Sequence, residues 1–395
     1  MNAEIICIGT ELLLGHVVNT NASFIAEKLA GSGIDHYFQA TVGDNPKRLA
    51  DTIRAALTRS DVVITTGGLG PTVDDITTRI IADVVNKKQA LIPEGAKWLR
   101  NPYGTAPGLI IEHKSKIIIA LPGPPREMQP MVMDYVIPYL RKKVGAAGII
   151  KSRSIRLIGL AEASVDEKVK DLLNLSGAVR VGIYAKQGEV ELKVMAKAKD
   201  ERSANAEIAR IEKVIRKRLG RYIYGVDRET LADNVAGMLI KGRKTIAVAE
   251  SCTGGLIANM ITDVPGASKT FIEGIVSYSN KSKFMGLGVK QETLKKYGAV
   301  SPQVAGEMAG GIHKRAGADI GLGITGIAGP TGATKAKPVG LVYIALSLSF
   351  PSPRKRGKRE STKTIVRQFN FLGSRVEIKH QAAQAALDLL RCELL

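Results

Sequence analysis

Residues 246–261 read IAVAESCTGGLIANMI, and this stretch decides how the rest of the chain is read. The apolar run Ile246–Ala249 stops at Glu250. Ser251, Cys252 and Thr253 follow, then Gly254 and Gly255, and apolar spacing resumes at Leu256. An apolar run, a glycine-loosened turn and a helical pattern together predict a strand feeding a helix. That unit belongs to α/β folds, whose ligand sites lie beyond the C-terminal ends of the strands. The turn therefore presents two candidate nucleophiles, Ser251 and Cys252.

The same alternation recurs on both sides of this stretch. EIICIGT (4–10), DVVITTGG (61–68) and KIIIALPGPP (116–125) are apolar runs, the last two closed by glycine or proline, and NASFIAEKLAGSG (21–33) has helical spacing. They predict βαβ units and a mainly parallel sheet. Downstream, FIEGIVSYSN (271–280), ADIGLGITG (318–326) and VGLVYIALSLSF (339–350) are strand candidates. SPQVAGEMAGGIHKRAG (301–317) and EIKHQAAQAALDLLRCELL (377–395) are helical. Between these parts the texture changes. SIRLIGLAEASVDEKVKDLL (154–173) reads as strand then helix, VRVGIYAKQGEVELKVMAKA (179–198) as a hairpin, and SANAEIARIEKVIRKRLG (203–220) as a basic helix. The expected organisation is an α/β domain over 1–145, a small α+β linker or dimerisation subdomain over 146–228, and a second α/β domain over 229–395.

Composition narrows the function classes. The chain has 395 residues, 45% of them hydrophobic, enough for more than one buried core. No apolar stretch reaches the roughly 18 residues that a membrane span needs, and the start does not resemble a signal peptide. Three cysteines, Cys7, Cys252 and Cys392, are too few and too scattered for a disulfide framework, so a cytoplasmic setting is expected. The net charge of +20 is uneven: residues 1–140 hold 13 basic against 14 acidic side chains, 141–245 hold 24 against 13, and 246–395 hold 20 against 10. A basic surface attracts nucleic acid or anionic metabolites. At 5% aromatics there is little stacking surface for a single strand, so nucleic acid is not expected as a partner, although the charge does not exclude it. The run of basic residues within 353–360 reads as a solvated hairpin loop, with a binding patch as the alternative.

Two constellations carry chemistry. In ITTGGLGPTVDDIT (64–77), Gly67, Gly68 and Gly70 let a ligand approach bare backbone, and Thr72 can cap a following helix, whose N-terminus suits a phosphate or carboxylate. Asp74 and Asp75 either complement that helix dipole or hold a divalent cation bridging carboxylate and phosphate oxygens. In the second constellation Ser251 needs a base. His313 and His380 sit on helical stretches and read as surface or core residues. A lysine can serve if burial lowers its pKa, and YSNKSK (278–283) offers Lys281 and Lys283 beside Tyr278 at the end of a strand that could lie next to the Ser251 turn. The N–H groups of Thr253 and Gly254 would suit an oxyanion. Cys252 is the rival nucleophile, with no evident partner to lower its pKa.

These motifs resemble a known family. TTGGLGPTVDDIT, with GTELLLG (9–15), NTN (19–21), VGDN (42–45), GTAPG (104–108) and LPGPPREM (121–128), is similar to the molybdopterin-binding-like domain of the competence/damage-inducible CinA family. AESCTGGLIA, YSNKSK, GAVS (298–301), GITGIAGPTG and KPVGLVYIAL resemble that family's C-terminal domain. The resemblance implies a bifunctional hydrolase of pyridine-nucleotide salvage. Its N-terminal domain would cleave ADP-ribose to AMP and ribose 5-phosphate with a divalent metal. Gly67, Gly68 and Thr72 would cradle the diphosphate, and Glu11, Asn21 and the turn at 123–125 would line the cleft. Asp44, Asp74 and Asp75 would be the metal candidates. The C-terminal domain would be a metal-free nicotinamide mononucleotide amidohydrolase. Ser251 would be its nucleophile, Lys283, five residues after Tyr278 as in the family motif, its base, and Tyr278 a supporting hydrogen-bonder. Thr325 and Gly326 would belong to the pocket, and the glycine turn at 326–332 would hold the substrate phosphate. The family also implies a homodimer. One departure stands out: Arg375 is kept for substrate binding, but the later basic position of the final helix is Lys379, which cannot form a bidentate fork. The alternatives are a pterin-phosphate or DNA-associated binding protein, or an amidase whose first domain is silent.

Overall fold

The computed structural model describes residues 1–70, 75–87, 95–144, 148–186, 188–350 and 361–395. Thr72, Asp74 and the basic run 353–360 lie outside the described residues. The chain divides into two compact units. One is Met1–Ser152 with Ser176–Val179 and Met195–Arg210; the other is Arg153–Leu175 with Arg180–Val194 and Ile211–Leu395. Fifteen strands are described, in three sheets.

The first sheet holds β1 (Asn2–Ile8), β2 (Asp35–Val42), β3 (Val62–Thr66), β4 (Lys97–Leu99), β5 (Gly108–His113) and β6 (Lys116–Leu121), in the order β2-β1-β3-β6-β5-β4. β2, β1, β3 and β6 run parallel, and β5 and β4 close the sheet antiparallel. Its apolar runs do not alternate with polar residues because both faces are covered. Ile5, Cys7, Val62 and Ile64 pack on one face against Ile25 and Leu29 of helix Thr20–Ala30 and against Met128 and Met131. Ile6, Ile8 and Val63 pack on the other against Leu49 and Ile53 of helix Pro46–Arg59 and Ile80 and Ile81 of helix Thr77–Val84. Each such fully buried side chain stabilises the fold by about 1.5–3 kcal/mol.

β7 (Ile149–Ile158), β8 (Val179–Lys186), β9 (Glu189–Ala198) and β10 (Ile223–Val226) form a four-stranded sheet in the order β10-β7-β9-β8. Helix Glu162–Leu173 buries Val165, Val169 and Leu172, and helix Glu201–Leu219 buries Ala204, Ile208, Ile211 and Ile215, the spacing of one helical face.

The third sheet contains β11 (Ile246–Glu250), β12 (Phe271–Val276), β13 (Ile320–Gly326), β14 (Leu341–Phe350) and β15 (Ser361–Asn370), in the order β12-β11-β13-β14-β15. β11 pairs parallel with β12 and β13, while β14 and β15 pair antiparallel beyond β13. Ile246 and Val248 face a core built with helices Leu231–Gly242, Leu256–Thr262 and Arg375–Leu394. Ala247 and Ala249 face Val304, Met308 and Ile312 of helix Pro302–Ala316. That helix comes close to the sheet: a Cβ on Gly323 would lie 2.5 Å from Ala309 N, so the glycines of ADIGLGITG permit the contact. Among the described residues no helix is long and apolar enough to cross a membrane.

Candidate functional site

In the C-terminal unit the site begins where β11 and β12 end side by side. Ala249 pairs with Ile275 and Glu250 with Val276, so the turn after Glu250 lies next to the residues after Val276. The Ser277 N–H donates to the Glu250 carbonyl at 2.7 Å and ties the two strand ends together. The chain then enters helix Asn280–Leu287, whose start is capped by Ser279 Oγ accepting from Ser282 N. Lys283 therefore lies on a helix rather than at the strand end, and that helix carries it back over the strand tips. Its side chain is 1% exposed. Nζ sits 2.9 Å from Ser251 Oγ, 2.7 Å from the Ser277 carbonyl and 3.4 Å from the Tyr278 carbonyl.

This geometry has a chemical consequence. Burial lowers the Lys283 pKa from 10.5 to about 8, with the neighbouring Cys252 opposing the shift. A neutral amine has two N–H donors, which the two carbonyls accept, and one lone pair, which is left facing the Ser251 hydroxyl. Lys281, the other lysine of the motif, is exposed. Burial pushes the Cys252 thiol the other way, up to about 12, so a thiolate is disfavoured there.

The turn itself is organised by a residue that sequence reasoning passed over. Glu250 is 1% exposed, and its carboxylate accepts from Gly255 N (2.9 Å), Ile257 N (3.2 Å) and Ala258 N (2.8 Å). These are the first amides of helix Leu256–Thr262, groups that a helix cannot satisfy internally. Of the two amides considered for an oxyanion, Gly254 N donates to the Ser251 carbonyl at 3.2 Å. Thr253 Oγ1 is buried with no hydrogen-bond partner among the described residues, leaving one polar group of the turn for a ligand.

The Tyr278 phenol accepts from Arg375 Nη2 at 2.9 Å. Arg375 Nη1 donates to the Gly329 carbonyl at 2.7 Å, linking the final helix to the glycine turn. Thr325 Oγ1 donates to the Ala299 carbonyl at 2.9 Å. A Cβ on Gly326 would fall 2.6 Å from Val342 Cγ2, so this glycine serves the packing of β13 on β14. Lys379 comes closer to the turn than its sequence position suggests: its Nζ lies 3.6 Å from where a Gly254 Cβ would be. Among the described residues no carboxylate pairs with it.

In the N-terminal unit the ends of β1, β3 and β6 open into two cavities of about 300 and 350 Å³ that share Ile8, Glu11, Gly123 and Pro124. Asn21 Nδ2 donates to Thr66 Oγ1 (3.0 Å) and to the Gly123 carbonyl (2.6 Å), while its Oδ1 is buried beside the smaller cavity with no partner among the described residues. Glu11, Asp44, Gly67, Gly68 and Asp75 line the larger one, together with Glu127, an acidic residue of the LPGPPREM motif that was not among the expected ligands. Gly67 has φ +114, and a Cβ there would lie 2.2 Å from the Ile8 carbonyl, so only glycine fits. Thr77 closes the loop: its Oγ1 donates to the Gly67 carbonyl and its N to the Gly68 carbonyl. The helix accordingly starts at Thr77, and Asp75 precedes it instead of occupying its first turn. Asp44 Oδ2 accepts from Thr10 N (2.9 Å) and Thr10 Oγ1 (2.8 Å). Among the described residues no three His, Cys, Asp or Glu side chains are gathered closely enough to hold a metal by themselves.

Comparisons with known proteins match the whole chain in order. Residues 4–142 match the model described as "Probable molybdopterin binding domain", 152–225 the "Damage-inducible protein CinA KH domain", and 228–394 the "CinA C-terminal domain". A relative from Caldicellulosiruptor saccharolyticus, named among the competence-damage inducible proteins, is 48% identical across 99% of this chain and 98% of its own. A "CinA-like protein" from Kosmotoga olearia is 47% identical across 100% and 99%. Among solved structures, the competence/damage inducible protein CihA from Agrobacterium tumefaciens is 36% identical over 40% of this chain and 91% of its own, with a TM-score of 0.37. With near-full-length identity of this order on top of three domain matches in sequence, the chain belongs to the competence/damage-inducible CinA family.

Proposed function

We propose that this protein is a two-site hydrolase of pyridine-nucleotide salvage, with a Ser251–Lys283 amidase in its C-terminal unit. The observation that carries the reading is the buried Lys283 amine 2.9 Å from Ser251 Oγ, with carbonyl acceptors for its own hydrogens. Neutral Nζ takes the hydroxyl proton as Oγ attacks the carboxamide carbon of nicotinamide mononucleotide. The tetrahedral intermediate collapses, the C–N bond breaks, and ammonia leaves with the proton that Lys283 returns. Water then attacks the serine ester, gives its proton to Lys283, and Ser251 departs with that proton, releasing nicotinate mononucleotide. General-base assistance of this kind is worth about 10²–10⁴-fold. Arg375 and Lys379 supply positive charge for the substrate phosphate, Tyr278 holds Arg375 in place, and the hydroxyl of Thr253 is a donor for the developing oxyanion.

For the N-terminal unit we propose metal-dependent cleavage of ADP-ribose to AMP and ribose 5-phosphate. The carboxylates around the larger cavity are hard oxygen donors, and Mg²⁺-type ions are commonly held by one or two carboxylates plus substrate phosphates. Asp44, Asp75, Glu11 and Glu127 thus fit an ion that arrives with the diphosphate, and Asp74 is a further candidate by position. When bound, the ion would polarise the diphosphate and offset the repulsion between it and these carboxylates. The chain's own part is to receive the phosphate oxygens at the Gly67–Gly68 turn that lines the cavity, with Thr72 proposed beside it, and to orient the ligand through Asn21. A second reading, binding of a pterin phosphate without hydrolysis, draws on the absence of a gathered carboxylate cluster among the described residues. A homodimer working in the cytoplasm completes the proposal, in keeping with three free cysteines.

The test follows ammonia release from nicotinamide mononucleotide and AMP release from ADP-ribose, each with and without EDTA. Ammonia release should survive EDTA and Cys252→Ala and vanish in Ser251→Ala and Lys283→Ala; AMP release should need the metal. Wild-type protein that releases no ammonia, or Ser251→Ala that releases it at the wild-type rate, overturns the amidase assignment.

A further inference from the structure

Away from Ser251 and Lys283, the C-terminal unit contains a cavity of about 520 Å³ between β15, the turn at Gly188 and one face of helix Arg375–Leu394. That volume lies in the range of roughly 300–1,000 Å³ usual for small-ligand sites. Its walls follow from the two periodicities of the chain. Residues 367, 369 and 371 alternate to one side along β15 and its extension, and 381, 384, 385, 388, 389 and 392 recur at helical spacing on the facing element.

Beside the Asp388 carboxylate, which Arg391 pairs at 2.7 Å, three kinds of group meet there. Phe369 and Phe371 stack with ring centroids 5.5 Å apart and planes 7° from parallel, a flat aromatic wall. Among the described residues Arg367, exposed at the edge, bonds only the neighbouring Val366 carbonyl at 3.3 Å, and no carboxylate pairs with it. Gln384 Nε2 donates to Glu189 Oε1 at 2.9 Å, while Gln384 Oε1 is buried with no partner among the described residues. The carboxylate fixes the orientation of that amide, because turning it over would set oxygen against oxygen. The cavity thus offers an aromatic surface, an uncommitted guanidinium and a buried acceptor awaiting an N–H. Two residues along a strand span about 6.6 Å, comparable with the step from base to phosphate in a mononucleotide.

We infer that this cavity is a second ligand site, for a mononucleotide whose base carries an amino group. The ring lies against Phe369 and Phe371, the phosphate takes the Arg367 fork, and the amino group donates to Gln384 Oε1. Nothing in this inference depends on the chemistry at Ser251.

The site has a built-in reporter. Cys392 lines the cavity and is exposed, whereas Cys7 and Cys252 are buried. The experiment follows N-ethylmaleimide addition to Cys392 of the full chain by peptide mass while AMP is titrated. AMP should slow the reaction, and adenosine, lacking the phosphate, should protect at higher concentration. Arg367→Ala should raise the AMP concentration for half-protection about tenfold or more while leaving the unprotected rate unchanged. Ala385→Phe, which fills the cavity, should abolish protection; Ser251→Ala and Lys283→Ala should retain it. No protection by millimolar AMP overturns the inference. So does protection unaffected by the exposed Arg367→Ala change, or protection lost in Ser251→Ala, which would assign the nucleotide to the other site.

Discussion

The lowered basicity of Lys283 has a consequence that kinetics can read. If the neutral amine is the base, kcat/KM follows the fraction of Lys283 that is unprotonated. With a pKa of about 8, that fraction is roughly one-eleventh at pH 7, one-half at pH 8 and ten-elevenths at pH 9. The rate should therefore rise about tenfold from pH 7 to pH 9 and level off. A lysine left at 10.5 would instead give a rise of about a hundredfold over the same interval with no plateau. The two curves differ in shape as well as size, so the assay needs no absolute standard. Initial rates of ammonia release at low nicotinamide mononucleotide, in buffers of constant ionic strength, are sufficient. The cause can be tested separately. Burial is the dominant influence on Lys283, so placing a carboxylate at the neighbouring Ser277, whose carbonyl accepts from Nζ, should move the midpoint up. A log-linear rise through pH 9, or a flat profile, would refute the reasoning that burial has tuned this amine for catalysis.

Further expectations follow from the same contacts. Because the folded protein binds fewer protons at Lys283 than the unfolded chain between pH 8 and 10.5, stability from this group rises with pH across that window. Wild type should gain about 2 kcal/mol relative to Lys283→Met between pH 7.5 and pH 10, read from urea unfolding. Cys252→Ala should keep ammonia release within about threefold of wild type, since a thiol at about 12 supplies almost no thiolate; a loss of a hundredfold would restore Cys252 as the nucleophile. Glu250→Ala strips the acceptor from three amides at the start of helix Leu256–Thr262 and should cost about 2–4 kcal/mol, with Glu250→Gln losing less, by thermal unfolding.

Much of this could be read from the chain because local patterns decide local structure. The turn after Ile246–Ala249 and the covered, parallel strands of both α/β parts follow from apolar runs punctuated by glycine and proline. What was not legible depends on partners distant in sequence. Glu250 reads as the polar end of a strand, and only the fold brings its carboxylate under the amides of the next helix. Tyr278 and Arg375 are 97 residues apart, so nothing local announces that the phenol meets the guanidinium. β2 went unrecognised because its middle residues are exposed and show no apolar alternation. Glu127 sits in the first turn of helix Pro125–Met131, and only the meeting of the sheet ends places it on the same cavity as Asp44 and Asp75. Lys379 was noted as a departure, but its approach to Gly254 arises from the docking of the whole final helix.

The central claim is that Ser251 Oγ forms a covalent ester. Wild-type protein mixed with nicotinamide mononucleotide, quenched in acid within the first turnover and digested, should yield the Ser251 peptide carrying the nicotinoyl nucleotide group in ester linkage, released as nicotinate mononucleotide by mild base. The same peptide from Ser251→Ala should carry nothing. An adduct on Cys252, or full ammonia release with no adduct on the Ser251 peptide at any quench time, would contradict the account.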